Sequence, residues 1–264
     1  MRKLILPCCI VLLAACSNKH NEGDHNDRPQ TATAVATSHD DIQAFTGSIN
    51  NKIPVSLWYV VQDSIVSGEL VYTNTKDKKP IRLVGKIGPE DIFIDEFLPD
   101  GMLSGIWSGK ISGNTFSGTW SGKKDLPFTL QRTENSQAHN QDMFTAGNIT
   151  GSYNYNYSDD GGMSTLDVKK LSDGRIVYNI EAVGHGPGYN QATVEDDTLV
   201  LNGNEAIYEA SDEFGKCNYR IRFYKDFAII DSPKDEYECG FGAGATVNGI
   251  YLKTSDQYAS FHID

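Results

Sequence analysis

From Phe45 onward the chain alternates apolar and polar residues with a period of two. No stretch of ten or more residues keeps a 3.6-residue period, so amphipathic helices are excluded as the main building block. Ile53, Val55, Leu57, Tyr59 and Val61 alternate with Pro54, Ser56, Trp58 and Gln62. Ile81, Leu83 and Ile87 alternate with Arg82 and Lys86, and Leu126, Phe128 and Leu130 end the first series. Turn signals separate these runs: Pro99-Asp100-Gly101, Gly113-Asn114 and Ser121-Gly122. Short alternating runs joined by tight turns predict an all-β antiparallel meander.

A polar gap over 134–146 interrupts the pattern, and the strand grammar then restarts. Tyr153, Tyr155 and Tyr157 alternate with Asn154 and Asn156; Cys217, Tyr219, Ile221 and Phe223 alternate with Asn218, Arg220 and Arg222. Turns fall at Asp173-Gly174, Asn202-Gly203 and Lys225-Asp226. Each half has room for about eight short strands, enough to close an up-and-down barrel without exposed edges. The expected organisation is two consecutive antiparallel meander β-barrels over 42–133 and 147–264, joined by the linker 134–146 and similar in size to lipocalin-like and avidin-like barrels. A β-sandwich is the runner-up, because meander and Greek-key connections share these signals. The halves also open alike, with Phe45-Thr46-Gly47-Ser48-Ile49-Asn50 matching Ile149-Thr150-Gly151-Ser152-Tyr153-Asn154. Gly105-Ile106-Trp107-Ser108-Gly109 is echoed by Gly118-Thr119-Trp120-Ser121-Gly122. The two tryptophans fit either plain core packing in a curved barrel or a Trp-lined ligand cup.

Residues 1–15 have the form of an export signal: Arg2 and Lys3, then a short apolar run from Leu4 to Leu13, too short to span a bilayer as a helix. Leu13-Ala14-Ala15-Cys16 resembles the lipobox of bacterial lipoproteins. That resemblance implies acylation of Cys16 and membrane anchoring without a spanning segment. Ser17, rather than Asp, after the cysteine implies the outer membrane, with the folded part facing the periplasm. Residues 16–41 hold almost no large apolar side chain and are expected to form a flexible tether, with a span of about 25–30 Å. His20, Asp24, His25 and Asp27 within it are expected to be solvated rather than to hold a metal.

Signal removal takes away Arg2 and Lys3 and carries the net charge from −12 to about −14. This acidity argues against nucleic acid or an anionic lipid surface as the main partner. It also removes Cys8 and Cys9, and lipid consumes Cys16. Cys217 and Cys239 remain as a pair in an oxidising compartment, where a bridge would contribute about 3 kcal/mol.

Catalytic sets are scarce. His20, His25 and His39 lie in the tether, His139 in the linker and His262 near the C-terminus, which leaves His185, in Gly184-His185-Gly186-Pro187-Gly188-Tyr189. No Gly-x-Ser-x-Gly elbow accompanies it. His185 and Tyr189 are the candidate contact-loop residues, and Tyr153, Tyr155 and Tyr157 form a candidate aromatic face. Cys239-Gly240-Phe241-Gly242-Ala243-Gly244 lacks a phosphate-loop spacing and fits a close backbone crossing beside the disulfide. The acidic pairs Asp40-Asp41, Glu90-Asp91, Asp95-Glu96, Asp159-Asp160 and Asp196-Asp197 are expected to be solvated surface.

No cofactor, metal site or catalytic residue is expected. Compartment, fold class and charge are similar to those of bacterial lysozyme inhibitors, although Ser67-Gly68-Glu69-Leu70-Val71-Tyr72 carries one residue too many for the Ser-Gly-x-x-Tyr pattern of one such group. The resemblance implies a non-catalytic envelope lipoprotein that binds a cationic protein partner, as an inhibitor or immunity protein against a basic periplasmic hydrolase such as lysozyme. The alternative is a β-barrel that carries a small molecule or glycan.

Overall fold

The computed structural model describes residues 42–134, 142–157, 161–212, 215–232, 239–258 and 260–261. The signal, Cys16 and the tether lie outside the described residues, as do His139, Asp159-Asp160 and His262.

Sixteen antiparallel strands form two closed eight-stranded barrels, so the sandwich alternative is not adopted. The first contains β1 (Gln43–Ile49), β2 (Ile53–Gln62), β3 (Ile65–Tyr72), β4 (Ile81–Ile87), β5 (Ile92–Phe97), β6 (Leu103–Ser112), β7 (Thr115–Ser121) and β8 (Asp125–Arg132). The second contains β9 (Gly151–Asn156), β10 (Met163–Lys170), β11 (Arg175–Val183), β12 (Gln191–Asn202), β13 (Glu205–Asp212), β14 (Gly215–Tyr224), β15 (Phe227–Asp231) and β16 (Gly249–Ser255). Each is a meander closed by pairing its first and last strands, β1 with β8 and β9 with β16.

The shared Thr-Gly-Ser triplet marks these closures. A Cβ on Gly47 would strike the Thr129 carbonyl oxygen and approach Leu130 Cα on β8 to 2.8 Å. Gly151, at φ +147°, would place its Cβ on the Ser255 carbonyl oxygen of β16. At both seams the last strand crosses so close that only glycine fits.

Alternation then sorts every strand. In the first barrel Phe45, Leu57, Tyr59, Leu70, Leu83, Ile94, Trp107, Phe116, Phe128 and Leu130 are buried in one core. Trp107 and Phe116 both pack edge-on against Phe128 at 4.8 Å. Trp107 is fully buried and sits opposite Trp120 across β6–β7. Packing, not a ligand cup, accounts for the repeated Gly-x-Trp-Ser-Gly segments.

Glu96 corrects the expectation of solvated acidic pairs. It is fully buried inside the first barrel, while its neighbour Asp95 faces the other way. Tyr72 Oη donates to both carboxylate oxygens at 2.9 and 3.1 Å, and Ser104 Oγ donates to Oε1 at 2.8 Å. The indole N–H groups of Trp107 and Trp120 both donate to Oε2 at 3.1 Å. Burial, then the adjacent Glu96 carboxylate, push the Tyr72 phenol well above its ordinary range.

The barrels belong to one compact unit and share a core. Ile65, Val84 and Phe97, on the outer face of β3–β5, join the second barrel's cluster with Phe227, Ile229 and Leu252. Arg82 Nη2 donates to the Lys225 carbonyl at 3.1 Å, and its guanidinium lies over the Phe227 ring. Asn156 N donates to Gly101 O at 3.1 Å. The end of the expected linker is part of this joint. Met143 is buried against Ala44 and Trp58, and Phe144 packs edge-on against Tyr224.

Replacing Gly47 by Ala should destabilise the protein by about 3 kcal/mol, because the added carbon meets backbone that cannot yield. Urea unfolding checks this, with Gly147→Ala as the control, since nothing lies within 4 Å of that position.

Candidate functional site

The second barrel puts its long connections at one end. The loops after β9 and β11 and the segment before β16 all leave from there. The β11–β12 loop holds the histidine and tyrosine singled out by sequence. His185 is exposed, with Nδ1 2.8 Å from the Gly186 carbonyl, and Tyr189 is 47% exposed at φ +45°. Gly184 N donates to Asn190 O at 2.8 Å, which closes the base of the loop.

The glycine-rich segment folds onto the same end. Gly242 N donates to Gln191 O at 2.9 Å, and Asn190 Nδ2 donates to Ala243 O at 2.7 Å. Tyr251 Oη donates to Val247 O at 2.6 Å and also lies 3.0 Å from Ser164 Oγ. The close backbone crossing expected here is present. Cys217 and Cys239 are disulfide-bonded, which ties this segment to β14.

The barrel wall opens beside the disulfide. β12 and β13 are in register only at Leu201↔Ala206 and Asn202↔Glu205. A register shift opposite Tyr178/Ile180 puts a bulge in β12 at Glu195-Asp196, while β11 and β12 stay paired on both sides of it. A cavity of about 320 Å³ lies between the two strands, lined by Glu195, Asp196, Asp197, Tyr208, Tyr219, Phe241 and the disulfide. Tyr208 stacks on Tyr219 at 4.7 Å and 12°, and Tyr219 Oη is 2.6 Å from Tyr178 Oη. Asn179 Nδ2 donates to Asp196 at 2.8 Å, which orients one carboxylate of the rim.

The tyrosine series divides. Tyr153 and Tyr155 are 1% and 7% exposed and belong to the core, where Tyr153 Oη donates to Ile149 O. Only Tyr157 is exposed, at 42%. The three do not form one open aromatic face, because their common side of β9 is the barrel interior. Sequence reasoning took Asp196-Asp197 for solvated surface, although they line this cavity, and did not single out Tyr208 or Tyr219 as site residues. Their proximity comes from the gap between β12 and β13, and the alternation of β12 continues through that gap without a signal.

Charge is divided between the barrels. Residues 147–264 hold nineteen acidic and nine basic side chains, against nine acidic and ten basic over 42–133. Several cations of the second barrel are already ion-paired: Arg220 and Arg222 with Asp231 at 3.0 and 2.6 Å, and Arg175 with Asp173 at 2.7 Å. Burial pushes Asp231 up, but the two arginines outweigh it and hold the carboxyl below its usual range. Among the described residues no three His, Cys, Asp or Glu side chains gather into a metal site.

Asp95 lies within electrostatic reach of Tyr157, where burial raises its carboxyl to about 7 against a smaller opposing pull from Lys86. Folding therefore favours the protonated form. The associated stability is present below pH about 4 and is lost as pH rises through about 7. Asp95→Asn should match the parent near pH 4 and melt a few degrees higher at pH 8, measured by thermal unfolding across that range. Reduction of Cys217–Cys239 should lower the melting temperature by several degrees, consistent with about 3 kcal/mol of lost constraint; an unchanged melt would show the loop is held without it.

No family model, curated protein or solved structure matches the chain.

Proposed function

We propose that the chain is a non-catalytic lipoprotein of the bacterial envelope, acylated at Cys16 and held at the outer membrane facing the periplasm. There it captures a cationic protein on its second barrel, as an inhibitor or immunity protein against a basic hydrolase such as lysozyme. The observation that carries this reading is the excess of ten acidic over basic side chains in 147–264, with carboxylates on the rim of a wall cavity. Such a field steers a basic partner during encounter and sets its orientation. The contact loop with His185 and Tyr189 leaves the same end of the barrel and is hydrogen-bonded at its base to the segment that carries Phe241 of the cavity lining.

The cavity supports a second reading. Its volume, about 320 Å³, reaches the lower range of small-molecule sites, and Tyr208 and Phe241 give it apolar lining. The barrel interiors do not add to that reading, since their inward positions are filled by side chains of the two cores.

Calorimetric titration with a basic lysozyme separates these functions. Binding should weaken at least about tenfold from low to physiological salt, because exposed charges are screened over about 8 Å. Glu195→Gln combined with Asp197→Asn should weaken it about five- to tenfold further, with Lys110→Gln unchanged. Absence of binding to basic hydrolases at either salt would overturn protein capture and leave the small-ligand reading of the cavity.

A further inference from the structure

Net charge hides a basic surface at one end of the first barrel. Three connections leave that end side by side. The β1–β2 turn carries Lys52, the β3–β4 loop carries Lys76, Lys78 and Lys79, and the β7–β8 turn carries Lys123 and Lys124. They are neighbours on the rim because β8 pairs with β1, β1 with β2 and β2 with β3. Backbone hydrogen bonds hold them in place: Asn50 N donates to Pro127 O at 2.7 Å, and Thr73 N to Pro54 O at 3.0 Å. The fourth connection at this end, β5–β6, contacts β9 through the buried Gly101, while Pro99, Asp100 and Met102 stay exposed.

All six lysines are exposed. None of them has an ion-pair partner among the described residues, whereas Lys110 at the opposite end is drawn to Glu90 and Asp91 at 3.9 and 3.6 Å. Asp77, Asp100 and Asp125 reduce the end to a net of about three positive charges, and the exposed Asp100 carboxylate accepts Met102 N within its own turn. The three connections, 50–52, 73–80 and 122–124, contain no aromatic side chain. Nothing there would stack on a base, which a single-stranded nucleic acid site requires. The end is a blunt rim of mobile-headed point charges, and that form suits a plane of anionic charge.

We propose that this end of the first barrel docks electrostatically on a bilayer leaflet containing anionic phospholipid. The acidic second barrel does not prevent this, because its field is screened within about 8–10 Å while the lysines touch the surface directly. The docking is independent of partner capture by the second barrel. It rests on the acylation reading only for which leaflet is met, since an anchor at Cys16 with a span of about 25–30 Å would keep the lysine rim within reach of that leaflet.

The test uses the chain from residue 16 with Cys16→Ser, so that neither the leader nor an acyl group contributes. Co-sedimentation is measured with vesicles of phosphatidylethanolamine and phosphatidylglycerol and with vesicles of phosphatidylcholine. At about 20 mM salt the anionic vesicles should be preferred by on the order of a hundredfold, and about 200 mM salt should abolish most of that preference. Replacing Lys76, Lys78, Lys79, Lys123 and Lys124 by Gln should remove it, while Lys110→Gln should retain it. Both variants should keep the parent's far-ultraviolet spectrum and melting temperature, as the five lysines are exposed loop positions and Lys110 is an exposed residue near the end of β6. Equal binding to both vesicles, no binding at low salt, or binding undiminished in the five-lysine variant would each overturn the proposal. Retention on heparin without vesicle binding would also overturn it and assign the rim to a polyanion instead.

Discussion

Closing an eight-stranded meander requires the last strand to lie against the first, and here the approach leaves no room for a Cβ. Gly47 faces the Thr129–Leu130 backbone and Gly151 faces Ser255, each within a Thr-Gly-Ser triplet. Once closure is set, the inside and outside of every strand follow from period-two geometry. Tyr153 and Tyr155 must then point into the second barrel, and Phe45 and Ile49 into the first. The same rule places Glu96 inside and Asp95 outside, although they are adjacent in sequence. A carboxylate inside a barrel costs several kcal/mol unless it is hydrogen-bonded. Tyr72, Ser104, Trp107 and Trp120 meet that cost between them, so the paired Trp-Ser segments serve Glu96 as well as the core.

Fold class was legible because alternation and turn chemistry agree along most of the chain. Gly101, Gly113, Gly174 and Gly203 all have positive φ, in the turns where Asp, Asn and Gly signalled them. Two kinds of feature were not legible. One is burial of a charged side chain, because Glu96 looks like any strand acid until its four donors are brought together. The other is what the outer faces touch. Ile65, Val84 and Phe97 alternate with the inward residues and have the pattern of an exposed face, yet they join the second barrel's core. Met143 and Phe144, at the end of a polar stretch, likewise become packing residues only because the barrels dock.

The candidate site shows the same division. Local chemistry pointed to His185, Tyr189 and the Cys217–Cys239 pair, and all of them lie at or beside the loop end of the second barrel. The wall cavity needed tertiary structure, since it exists where β12 and β13 stay apart after two register pairs. The other seams of this barrel are paired over longer stretches and carry its closure. The weak seam is then where backbone, aromatic faces and carboxylates become available to a ligand.

Charge adds a constraint that a net value of −12 conceals. At physiological ionic strength a partner senses charges within about 8 Å, so it meets an end of a barrel rather than the whole molecule. The first barrel is nearly balanced in total, but at one end its exposed lysines have no ion-pair partner among the described residues, whereas at the other Lys110 is paired with Glu90 and Asp91. The second barrel is acidic overall, and several of its cations are bound to Asp231 and Asp173. Through a shared core the two barrels join a basic end and an acidic surface in one unit. A single barrel of the same net charge would have to average these charges over one surface, whereas two barrels keep a basic end and an acidic surface apart by more than the screening distance of about 8 Å.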